Sequence, residues 1–161
     1  MTQSPSGPRR GGLLRVLMGT ALFVALLIFG TGMASLLTET DVITAPTFGQ
    51  IPGVIGVVVA TGAFVATIAP PVLRGNPRYS AAVWAALACY VGYLAGIFVA
   101  ATLGGADPAL AASVVGRLAT FWYGPIVAIA AALAAIGVVA ITQAREHGVR
   151  GARWPWERHG E

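Results

Sequence analysis

Two phenols, Tyr90 and Tyr93, are the side chains best placed to do chemistry. They lie about one turn apart, mid-way along an apolar run with no charged residue. A phenol in hydrocarbon needs a hydrogen-bond partner, because an unsatisfied polar group there is costly. Two arrangements meet that need. Either the pair lines a polar pocket or substrate path, or each hydroxyl bonds to a neighbouring helix backbone or to a Ser or Thr. The second is the expected one. Cys89, the single cysteine, is adjacent in sequence. One cysteine forms no internal disulfide. A thiolate in lipid is badly solvated, so Cys89 reads as a small packing residue.

Other reactive residue types lack company. Glu39 and Asp41 share a Thr-rich loop, but two acids alone make a poor metal site. Ser35, Ser80 and Ser113 have no His or acid at a spacing suited to nucleophilic catalysis. Haem ligation wants His on facing helices, whereas His147 and His159 both lie in the C-terminal tail. No ionisable Asp, Glu, Lys, Arg or His falls in the central part of an apolar run, which argues against a proton relay. Phosphate-loop, HExxH, CxxC and GxSxG motifs are absent from the sequence. No catalytic, cofactor or metal site is expected, and the chain is not read as an enzyme.

The elements that hold these residues are membrane spans. Of 161 residues, 57% are apolar and 10% are charged, where a soluble domain carries about 25% charged residues. Four runs are long enough to cross a bilayer: residues 13–37, 52–73, 81–103 and 118–143. A polar, Pro/Ser/Gly-rich tail is expected over 1–12 and a basic tail over 144–161. The first run exceeds a signal-peptide core of about 7–15 residues, so an uncleaved helix is expected. Around the tyrosines, Ala88, Gly92, Gly96, Ala100 and Gly104 recur at every fourth position. Such a stripe lies on one helix face and lets a second backbone come close in lipid. Gly56/Ala60 and Gly62/Ala66 form similar pairs in the second run.

Charge sets the expected orientation. All ten basic residues are Arg. Arg9, Arg10, Arg15, Arg74, Arg78, Arg145, Arg150, Arg153 and Arg158 belong to the two tails and the short second loop. Only Arg117 lies in the other loops, together with Glu39, Asp41 and Asp107. This asymmetry puts both termini in the cytoplasm. It also explains the basic balance better than nucleic-acid binding does.

Turn chemistry fixes the remaining joints. Pro70-Pro71 should stop or kink the second helix, and Arg74-Gly75-Asn76-Pro77-Arg78 makes a tight hairpin link. Asp107-Pro108 is a good N-cap and first-turn pair. It should start a helix that lies at the outer interface or leads into the fourth span. Gly124-Pro125 invites a kink just inside that span. Arg153, Trp154 and Trp156 in the C-terminal tail suit a headgroup interface or a partner surface.

The Thr40-Asp41-Val42-Ile43 loop and the Arg153-Trp154-Pro155-Trp156-Glu157-Arg158 tail resemble those of small, four-span, Ala/Gly-rich membrane proteins of unknown function from bacteria with GC-rich genomes. That resemblance implies a plasma-membrane protein and no activity. The expected fold is all-α, an antiparallel four-helix bundle with both termini inside. The expected role is a non-enzymatic accessory or oligomerising subunit whose partners are the lipid bilayer and a second copy or another membrane protein. The close-contact face would be Ala88, Gly92, Gly96 and Ala100. The alternative is a small carrier of a neutral solute, lined by Tyr90 and Tyr93.

Overall fold

The computed structural model describes residues 8–38, 51–76, 78–120 and 123–146. All described elements are helices: α1 (Pro8–Thr38), α2 (Ile51–Leu73), α3 (Ser80–Leu103), α4 (Pro108–Thr120) and α5 (Tyr123–Glu146). Four of them contain apolar segments of 27, 23, 24 and 21 residues, against the about 20 that a bilayer requires. This is the build of a multi-pass membrane protein. α2 and α3 match the expected spans within one residue. α1 starts at Pro8, so it takes in residues 8–12 of the segment read as tail.

The largest interface joins α2 to α3, followed by α3 with α5, α1 with α5, and α1 with α2. These contacts close a ring of four helices, and α4 packs on α3 and α5. In the ring, the rings of Phe23 and Phe64 stack at 4.9 Å between centroids, 6° from parallel, and both are fully buried. The closest backbone approach is between α2 and α3. A Cβ on Gly96 would lie 3.0 Å from the Gly56 Cα, and one on Gly56 would lie 2.8 Å from Ile97 and 3.1 Å from the Tyr93 carbonyl oxygen. Any side chain at either position would drive the two backbones apart. Gly92 faces the same helix, at Val59 and Ala63.

Helix ends follow local chemistry. α2 continues through Pro70-Pro71, whose φ suits a helix, and closes at Leu73. There Gly75 N–H donates to the Val72 carbonyl and Asn76 N–H to that of Pro71. α3 ends the same way, with Gly105 N–H to Thr102 and Ala106 N–H to Ala101. Both are Schellman turns, and they need the left-handed φ of +68° at Gly75 and +89° at Gly105 that glycine adopts without strain. α4 opens on Asp107, whose carboxylate accepts from Ala109 N–H at 2.7 Å and Leu110 N–H at 3.3 Å. The Asp107-Pro108 pair is therefore an N-cap followed by the first helical residue.

The fourth expected span, 118–143, takes in the last residues of α4 and most of α5, with 121–122 outside the described residues. Pro125 is the third residue of α5, in a first turn where a missing donor has no cost.

Replacing Gly96 by Leu should cost about 1–3 kcal/mol of stability through overpacking, read as a lowered thermal midpoint in detergent. Gly32→Leu, at a position where a Cβ would meet nothing within 4 Å, should stay within about 0.5 kcal/mol of wild type. Equal midpoints for the two variants would show that the glycine contact is not tight. Asp107→Ala should speed amide exchange at Ala109 and Leu110 while leaving α3 amides protected; Asp107→Asn should preserve the cap.

Candidate functional site

Of the polar side chains singled out by sequence, Tyr90 lies where α3, α4 and α5 meet, while Tyr93 and Cys89 face α2. α4 turns back along α3. Ala101 and Ala111 are buried together, and Phe98, Ala106 and Val114 pack on them. Further along α3, the Tyr90 hydroxyl donates to the Ala119 carbonyl oxygen at 3.1 Å. Gly124 lies beneath the phenol ring. A Cβ there would stand 2.9 Å from Tyr90 Cε2 and 2.8 Å from the Leu118 carbonyl oxygen. Tyr90 thus ties α3 to the end of α4, and Gly124 gives its ring room.

Tyr93 is 3% exposed and packs against Gly56 of α2. Both tyrosines face neighbouring helices, Tyr90 through its hydroxyl and Tyr93 through its ring. The Cys89 thiol is fully buried and donates to the Ala60 carbonyl oxygen at 3.4 Å. Each of the three side chains tethers α3 to another helix. Of the four-spaced stripe, Gly96 is buried, while Ala88, Gly92 and Ala100 are half-buried. Gly92 and Gly96 meet α2 of the same chain, whereas Gly104 is exposed and meets only carbonyls of α3 itself.

Threonines follow the same economy. Thr20, Thr61 and Thr142 each donate to the carbonyl four residues back, at 2.9, 2.8 and 2.7 Å. Among the described residues no buried side-chain nitrogen or oxygen lacks a partner, and no three of His, Cys, Asp and Glu come together. Chemically, the arrangement spends its hydroxyls and its thiol on backbone carbonyls. Arg153, Trp154 and Trp156 lie outside the described residues, as do Glu39 and Asp41.

The sequence matches a family of unknown function, DUF6121, over residues 9–161. The chain belongs to that family. The match takes in α2 to α5 whole, α1 from its second residue, and residues 147–161 beyond α5. No curated protein and no solved structure matches the chain. Membership in DUF6121 agrees with the resemblance to uncharacterised membrane proteins and carries no activity with it.

What the sequence did not supply was the partner of Tyr90, 29 residues away. Tyr90→Phe removes the donor and keeps the ring. It should lower unfolding stability in detergent by about 0.5–1.5 kcal/mol and accelerate amide exchange at the start of α5. Unchanged exchange there would mean that the bond does not hold the junction.

Proposed function

We propose that this DUF6121 member is a non-enzymatic subunit of the cell membrane that assembles through its helices, with a second copy of itself as the partner. The observation that carries this reading is the outward face of α2. Gly92 and Gly96 are used within the chain, whereas Gly62 has nothing within 4 Å of a built Cβ and Ala66, one turn on, is exposed. Exposed Val58 lies one turn before Gly62 on the same face. In lipid, apolar surface gives no drive to associate, and close approach over small residues does. Gly62 and Ala66 offer that approach to a second helix.

The helices are read as an antiparallel bundle. Contact numbering runs in opposite senses across the ring: Gly12 meets Leu73 while Phe23 meets Phe64, and Gly19 meets Val138 while Gly30 meets Ile126. The arginine asymmetry supports termini on the cytoplasmic side of the plasma membrane. A solute path along Tyr90 and Tyr93 has less support, since one hydroxyl is bonded to α4 and the other ring is packed on α2.

Native mass measurement in mild detergent tests the reading. Wild type should appear as a dimer, and Gly62→Leu should appear as a monomer with an unchanged thermal midpoint. A monomeric wild type, or a dimer that survives Gly62→Leu, would overturn it.

A further inference from the structure

We infer that the arginine-rich end of the helices is a binding site for the headgroups of anionic phospholipids, built by Arg15, Arg74 and Arg78. This stands apart from the subunit reading and needs only that the helices span a bilayer. Three observations carry it.

The first is convergence. Gly12 of α1 packs against Leu73 of α2, with a built Cβ 3.1 Å from Leu73 Cδ2. Arg15 lies about one turn further along α1, and Arg74 directly follows Leu73. The Schellman turn at Gly75 and the short link then carry the chain to Arg78, two residues before α3 begins. Three arginines from two separate parts of the chain therefore belong to the same end of the helices.

The second is charge that no described group neutralises. Asp107 is the one carboxylate among the described side chains, and it caps α4 beyond the opposite end of α3. Among the described residues no ion pair reaches Arg15, Arg74 or Arg78. A phosphate diester matches a guanidinium in charge and in its paired acceptor oxygens.

The third is the surface beside them. Leu14, Leu17 and Met18 on α1, and Leu73 on α2, are exposed and apolar. Tyr79 and Trp84 at the start of α3 are 54% and 65% exposed, as aromatic side chains at a headgroup boundary are. Acyl chains covering that apolar belt would present their phosphates at the level of the arginines. Free phosphate has no chains to lay there, so the site selects lipid. Anionic lipids gain over zwitterionic ones because the patch carries net positive charge.

The test uses the full chain in nanodiscs of mixed phosphatidylglycerol and phosphatidylcholine, with lipids retained after detergent extraction counted by native mass spectrometry. Wild type should retain phosphatidylglycerol in preference. Each Arg→Gln change at 15, 74 or 78 should reduce the preference about fivefold, and the triple variant should show none. Arg74→Lys with Arg78→Lys should keep most of it. Arg117→Gln, at the other end, should keep all of it. A thermal midpoint equal to wild type identifies variants that are folded, and Trp84 should be quenched by brominated lipid in a variant whose other tryptophans are Phe. The inference is overturned if the folded triple variant keeps its preference, if the preference disappears only when Arg150, Arg153 and Arg158 are neutralised, or if inorganic phosphate displaces the retained lipid.

Discussion

Two helix backbones meet where Gly96 of α3 faces Gly56 of α2, and most of the remaining packing is set by that meeting. Water gives no help here, because lipid tails are as apolar as leucine. What remains is dispersion, which falls steeply with distance, and so favours the smallest residues at the seam. With the seam closed, Tyr93 and Ile97 lie over Gly56, and the Cys89 thiol comes within reach of the Ala60 carbonyl. The other side of α2 is then free to bring Phe64 onto Phe23 of α1. α5 closes the ring from α1 to α3.

A second constraint follows from the same solvent. Every polar group at membrane depth must be satisfied by protein. The short solution is local: threonine hydroxyls return to carbonyls of their own helix, as at Thr67 and Thr102. A longer side chain reaches further: Tyr90 donates from α3 to the Ala119 carbonyl near the end of α4. Hydroxyls thus bond carbonyls within a helix or across to the next one.

Much of this was legible in the sequence. Run length and the short Arg74–Arg78 link placed α2 and α3 within a residue, because solvation in lipid acts on each residue in turn. The Asp107-Pro108 cap was legible because it involves only neighbours. The four-spaced stripe marked Gly92 and Gly96 as contact residues, but periodicity names a face and not the helix that covers it. Their partner is α2 of the same chain. The Tyr90–Ala119 tie was harder, because its two residues stand 29 apart and nothing local pairs them; only the fold brings α4 back to α3.

The most direct test of the α2–α3 seam is a double-mutant cycle of Gly56→Ala and Gly96→Ala, measured by reversible unfolding in detergent. If the backbones touch as described, the first methyl forces them apart and the second finds room already made. The double variant should then lose less stability than the two single losses together, with a coupling of about 0.5–3 kcal/mol. Strict additivity, of the kind expected between Gly96→Ala and a change at outward-facing Gly62, would mean that the two glycines do not meet, and would contradict the account.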